Sequence, residues 1–536
     1  MDYFFMNLYR TRWYAVLCLF CLIFIFSKRF RSLFYRQAGK LNTCRKWKVS
    51  LLLFLITLVA GLLMIYPGKS WGGDYSQYYA QARALVTGTI PEWFRKNSFI
   101  IDNSCDGIGS DVYPWMWSIM LAPVYMIFHG FPVIVVKVYE VVLLAAGSLF
   151  MIQIFMRRMT NARAFALSLF VTGSYQFLCN VNAADADIPG FFWSMAALCL
   201  ADRYLYERKT SVSVSVEKIR RVLLLAAGTG AAAAAAMLTK TLCEGIILAL
   251  AAYDILRVFR KRFFKSRNWW IQLVPYASFI ICKEVCDTLL MKSGGTYKSY
   301  FTFSSGRFLM GVKQYFYIFS AYFGSGVRPL ITVILIVITA VFLLLSDAGM
   351  LMKWKEEMFF AFYVCGMLLM LLMLLFYNYY RYGFTYSFYP LMLLFASYAV
   401  RRLRDKAGPV IVDAAILTVL ILVSAQSLCG IYSTRFRGYR LDEAESETAE
   451  ELYQYIDSNL DKEDVVYFFK PRVLYWSTGV NSYFWGLDDT DHLDKADYVL
   501  LSTWDDQTKC YQYVNASQMY QQVFSNDGFI LYEKQK

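Results

Sequence analysis

The sequence predicts a polytopic α-helical membrane protein of about twelve spans, followed by a small α/β domain at its C-terminal end. Three observations lead there. Of 536 residues 58% are hydrophobic, and the mean hydropathy is +0.39, above the balance of a soluble domain. The apolar residues gather in repeated runs of 15 to 25, the length that crosses a hydrocarbon core of roughly 30 Å. After about residue 429 the chain turns acidic and loses those runs.

The expected spans are 13–27, 50–66, 132–156, 164–181, 188–206, 222–239, 242–257, 269–290, 328–346, 358–377, 385–400 and 409–428. One further run, Asp111 to Gly130 ("DVYPWMWSIMLAPVYMIFHG"), carries Pro114 and Pro123, and an interior proline removes a helical hydrogen bond. Charge placement decides its status. With that run left out, the basic loops 28–48, 157–163, 203–221, 257–267, 347–357 and 401–406 share one face, as the positive-inside bias requires. Residues 111–130 are therefore expected as a juxtamembrane or re-entrant helix. Segments 67–131, 182–187, 240–241, 291–327, 378–384 and everything after 429 then lie on the outer face.

Three regions follow: an N-terminal span and basic cytoplasmic loop (1–49), a transmembrane body (50–429) with its long outer loop 67–131, and an extracytoplasmic domain (430–536). In the last, an amphipathic helix near 446–459 precedes the strand patterns "VVYFF" and "YVLLS" and a hairpin-like "NDGFILYE", whose Asp-Gly is a turn signal.

The formal charge of +14 does not signal nucleic acid, because Lys and Arg sit in short loops between apolar runs. Two histidines exclude a His-rich metal site, and the twelve cysteines mostly lie in apolar runs as small hydrophobes. Cys105 and Cys510 are the pair that a bridge outside the cell would join.

Chemistry-bearing residues fall at the outer ends of spans. In "KSWGGDYSQYYAQARALVTG" Asp74 follows two glycines and either caps a helix or supplies a functional acid. In "NAADADIPGFFW" Asp185 and Asp187 precede Pro189, and again capping competes with acid–base work. An Asp-x-Asp triplet also suits a divalent cation, the less favoured reading; no cofactor is expected. In "AAMLTKTLCEGIILAL" Lys240 sits at an outer boundary, where it snorkels to the headgroups, pairs locally with Glu244, or is free for a phosphate. Arg381, in "YNYYRYGFTYSFYP", offers the forked donor geometry that grips phosphate oxygens. The loop "DNSCDGIGSD" fails as a calcium loop, because its twelfth position is Tyr113 where a glutamate is required.

Taken together and in this order, "GGDYSQYYAQARAL", "VYPWMWSIMLAPVYMIFHG", "DADIP", "LTK", "RYGFTYSFYP" and "YFFKPRVLYWSTG" resemble one group. The chain resembles bacterial membrane glycosyltransferases of the GT-C fold, the protein O-mannosyltransferase and aminoarabinose transferase group (glycosyltransferase family 39-like), from about residue 50 onward. The resemblance implies a polyprenyl-phosphate sugar as donor, a cell-envelope acceptor, inversion at the anomeric carbon, and a multi-pass protein of the plasma membrane. Carried over by position, Asp74 is the general base with Asp187 assisting. Lys240, Arg381 and Arg83 bind the donor phosphate, and Tyr75, Tyr78, Asp185 and Tyr382 are substrate contacts. Asp74 is followed by Tyr75, where the mannosyltransferases of the group usually carry Glu; this argues against protein mannosylation. A lipid or sugar transporter without transferase chemistry is the alternative. It would need charges near the bilayer midplane and two related halves, and neither is evident. A wall-binding scaffold role for the tail stays open.

Overall fold

The computed structural model describes residues 19, 22–105, 108–209, 216–260, 263–264, 268–293, 301–323, 357–435, 443–505 and 507–535. The expected span 328–346, the loop 347–356, most of 13–27 and parts of the outer loop 291–327 lie outside these residues.

Among the described residues, four helices are long and apolar enough to cross a membrane: Lys46–Met64, Val133–Phe155, Val216–Thr239 and Pro409–Thr434. Their packing follows from side-chain size. The alanine-rich helix Val216–Thr239 lies between Asp187–Lys209 and Val274–Leu289. A Cβ at Gly230 would run into the Pro275 carbonyl, the close approach that small residues permit in membrane helices. Leu51, Leu52, Leu55, Val59 and Leu62 on Lys46–Met64 face outward, as a lipid-contacting stripe does.

Several expected spans are interrupted. The run 164–181 divides into Asn161–Thr172 and Tyr175–Asn180, because Gly173 caps the first helix and Ser174 starts the second. The run 242–257 begins with a 3-10 turn, Thr241–Glu244, before Gly245–Phe259, and 269–290 begins with Trp269–Leu273 before Val274–Leu289. Residues 111–130 form the helix Trp115–Phe128, 14 residues long, closed by His129 in the left-handed conformation. At 1.5 Å per residue it reaches about 21 Å, short of a bilayer core.

Segment 67–131 also carries two helices, Gly73–Thr87 and Ile90–Asp102. Gly88 separates them at φ 73, accepting the left-handed turn that a side chain resists. Helix Ser305–Ala321 packs toward 377–389: Arg307 donates to the Tyr377 carbonyl, and Tyr322, which follows the helix, stacks on Tyr389 at 4.0 Å.

In the C-terminal domain, helix Glu447–Asn459 is capped by the Ser446 hydroxyl. The strands are β1 (Val465–Tyr467), β2 (Asn481–Tyr483), β3 (Tyr498–Ser502), β4 (Tyr520–Ser525) and β5 (Phe529–Lys534), in the order β2-β1-β3-β5-β4. The first three are parallel, which needs crossovers such as helix Pro471–Thr478, whereas β5 runs antiparallel to β3 and β4. Cys105 and Cys510 are unbridged thiols.

This domain is fastened to segment 67–131. Trp71 lies among Phe468, Phe469, Trp504 and Phe529, with ring centroids 5.2 to 6.4 Å away. Lys96 donates to Glu463, to Asn481 and to the Lys462 carbonyl at 2.9 to 3.0 Å. Beneath this joint sit the fully buried Lys69, Lys137 and Glu140, where Lys137 donates to the carbonyls of Tyr66 and Gly68.

Candidate functional site

Asp74 occupies the first turn of helix Gly73–Thr87, where a negative charge meets the positive end of the helix dipole. That helix is almost wholly buried from Tyr75 to Ala82, held between helix Trp115–Phe128 and helix Pro471–Thr478 of the C-terminal domain. Both oxygens of Asp74 are engaged. Tyr113 donates to Oδ1 at 2.8 Å, and Arg381 forms an ion pair through Oδ2. Tyr113 in turn accepts from Arg472 at 3.0 Å, and Arg472 also donates to the Ser110 carbonyl at 2.7 Å. Burial alone would push the Asp74 carboxyl up. The Arg381 charge and the bond from Tyr113 outweigh it and hold the group below the usual carboxylate range.

The second acidic segment is a tight turn. Ala184 adopts φ 52, a conformation that costs a residue with a Cβ about 1 kcal/mol, and the Asp187 N–H then donates to Asp185 Oδ1 at 2.9 Å. This side-chain-to-backbone bond starts helix Asp187–Lys209. Asp187 is buried and paired with Lys240. Lys240 ends helix Val216–Thr239, and its amine lies 4.9 Å from the Phe384 ring. The local Lys240–Glu244 pair, one of the sequence readings, is not what forms. Burial and then the Asp187 charge push Asp185 up to about 7, against the opposing charges of Arg381 and Lys240.

Gly383 explains how the third segment fits. A Cβ there would overlap the Asp187 carboxylate, so glycine lets the Arg381–Gly383 backbone lie against the acid. Arg381 is held up by the Asp74 charge first, and by Asp185 and Asp187 after burial is counted. Four sequence candidates, Asp74, Asp187, Lys240 and Arg381, thus come together with Asp185 as two ion pairs within mutual electrostatic reach.

Other candidates go elsewhere. Arg83 lies nine residues beyond Asp74 on the same helix, about 13 Å along its axis. Its guanidinium sits 4.7 Å from the Trp476 ring, so the structure does not bring it to the acids. Tyr75 turns to the domain joint, where the Lys69 amine lies 4.0 Å from its ring. Tyr78 packs 5.1 Å from Tyr113 and so borders the Asp74 side. Tyr382 sits edge-on to Tyr322 at 6.2 Å, beside the Arg381 end.

Sequence reading missed Tyr113, Arg472, Lys470 and Glu140. Glu140 is fully buried, and neither of its oxygens has a hydrogen-bond partner among the described residues. Its position inside an apolar span was the available signal, since ionisable groups there are costly.

No protein-family model matches the sequence, and no curated protein is significantly similar to it. Solved structures do match. ArnT from Cupriavidus metallidurans, bound to undecaprenyl phosphate, superposes with a TM-score of 0.52 at 11% identity, over 90% of this chain and 97% of that one. The archaeal oligosaccharyltransferase AglB from Archaeoglobus fulgidus, in complex with an inhibitory peptide and a dolichol-phosphate, gives 0.51 at 10%, over 84% and 69%. The fold is therefore the GT-C fold of membrane glycosyltransferases that the sequence resemblance implied.

Proposed function

We propose that this chain is an integral membrane glycosyltransferase that moves a sugar from a polyprenyl-phosphate donor to an acceptor hydroxyl at the outer face of the membrane, with inversion. The observation that carries this reading is the convergence of Asp74, Asp185, Asp187, Lys240 and Arg381. They come from four separate segments of a chain that shares its fold with ArnT and AglB.

In the proposed displacement, the acceptor oxygen attacks the anomeric carbon while the bond from that carbon to the phosphate oxygen breaks. The electron pair leaves with the polyprenyl phosphate. Asp74 takes the acceptor proton, a role suited to a carboxylate already ionised at neutral pH. Arg381 and Lys240 face the developing phosphate charge and share it with Asp74 and Asp187, so stabilisation is fixed before reaction. Asp185 and Asp187 orient the acceptor side. Arg83 has no part in this scheme, and no metal is invoked. The reading includes twelve spans, a plasma-membrane location, a C-terminal domain outside the cytoplasm, and a cell-envelope glycan, lipid or protein as acceptor.

The test is incubation of the purified full chain in lipid nanodiscs with a panel of undecaprenyl-phosphate sugars and envelope acceptors, read by mass spectrometry. Transfer is expected, with a drop of about 10²–10⁴ in Asp74→Asn. Absence of transfer from every donor, or an Asp74→Asn variant as fast as the parent, overturns the proposal.

A further inference from the structure

Both cations that the sequence assigns to phosphate binding already face a carboxylate, Lys240 opposite Asp187 and Arg381 opposite Asp74. A third cation approaches the same place from the C-terminal domain. Lys470 directly precedes helix Pro471–Thr478 and is half-buried. Its backbone is fixed beside Asp74, because Arg472, two residues on, donates to Tyr113, which donates to Asp74 Oδ1.

The charges that act on the Lys470 amine come from Asp74, then Asp505, then Arg381, the last repulsive; burial draws the amine below the ordinary lysine range. Asp505 is itself bonded by the Ser502 hydroxyl at 2.9 Å. Among the described residues the Lys470 amine has no ion pair and no hydrogen bond, and the Phe469 ring is 6.0 Å away. The ammonium therefore sits within reach of Asp74 and Asp505 without bonding either, and an anion between it and Arg381 would give both cations a shared partner.

We propose that Lys470 is a donor-phosphate contact, through which the C-terminal domain completes the site. This rests on the glycosyltransferase reading and extends it: the phosphate oxygens lie between the Lys470 ammonium and the Arg381 guanidinium, a point charge and a fork. The domain then discriminates phosphate-bearing polyprenyl lipid from neutral lipid, and it does so from outside the membrane body. No bond is made or broken by Lys470, and the leaving phosphate keeps its electron pair.

The experiment is binding of undecaprenyl phosphate, undecaprenol and inorganic phosphate to the full-length chain in detergent, by native mass spectrometry. Wild type prefers undecaprenyl phosphate to undecaprenol. Lys470→Gln should weaken undecaprenyl phosphate about tenfold and leave undecaprenol unchanged, while Lys470→Arg restores binding. Weaker competition by inorganic phosphate in Lys470→Gln places the loss in the headgroup. A Lys470→Gln variant that keeps the wild-type preference, or that weakens both lipids equally, overturns the inference and leaves the glycosyltransferase reading standing. A wild-type chain without any preference for the phosphate overturns that reading itself.

Discussion

Arg381 holds one oxygen of Asp74 while Tyr113 holds the other, and Tyr113 is in turn held by Arg472 of the C-terminal domain. The acid is thus pinned between the Arg381 loop and a domain that begins more than 350 positions after Asp74 in the chain. Each of these contacts favours the ionised carboxylate.

The pH consequence has a definite sign. Tyr113→Phe removes a bond to the charged form, so the Asp74 value rises toward the usual range. The acid limb of the kcat/KM profile should move to higher pH, with the rate at neutral pH reduced by less than in Asp74→Asn. A profile whose acid limb stays in place would separate Tyr113 from the ionisation of Asp74.

Asp185 behaves in the opposite way. Its folded-state value is about 7 against roughly 3.9 for a free aspartate. The stability it lends is fully present below the unfolded value and is lost as pH rises through about 7. Asp185→Asn keeps the oxygen that accepts the Asp187 N–H and cannot ionise. Its melting temperature should therefore exceed wild type more at pH 8 than at pH 5, by about 2–4 °C for each kcal/mol relieved. Thermal melts of the detergent-solubilised chain at both values decide it.

Gly383→Ala should cost about a hundredfold in transfer, because the new methyl meets the Asp187 carboxylate and displaces Arg381 from Asp74. Gly366→Ala is the control, since a Cβ there meets nothing within 4 Å. Equal activity of the two variants would show that the Arg381–Gly383 backbone tolerates movement.

These expectations reflect what could and could not be read from residue order. Asp74, Asp187, Lys240 and Arg381 were legible because charge at the edge of an apolar run stands out. Their pairing was not, since Asp74 and Arg381 are 307 positions apart and only folding joins them. Tyr113 stands at the twelfth position of the failed calcium loop and near the start of the run 111–130, neither of which points to Asp74, and Arg472 lies in a tail that reads as an independent domain. Arg83 shares a helix with Asp74, yet nine residues of rise carry it to Trp476. The interrupted run 164–181 looked continuous because hydropathy averages over a lone Gly173, which nonetheless ends a helix.

Trp71→Ala should loosen the C-terminal domain from segment 67–131 by about 3–5 kcal/mol, the cost of emptying a tryptophan site. Limited proteolysis should then cut within residues 443–535 faster than in wild type, with the helical body intact. Unchanged cleavage would mean that Lys96 and its partners hold the domain alone.

The last strand has a biosynthetic consequence. Because β5, Phe529–Lys534, lies between β3 and β4 rather than at an edge, the sheet cannot close until the ribosome has passed residue 534. Lys470 and Arg472 stand at the start of that sheet's crossover helix, so the sheet that carries them is complete only once residue 534 has been made, however early the apolar helices are inserted.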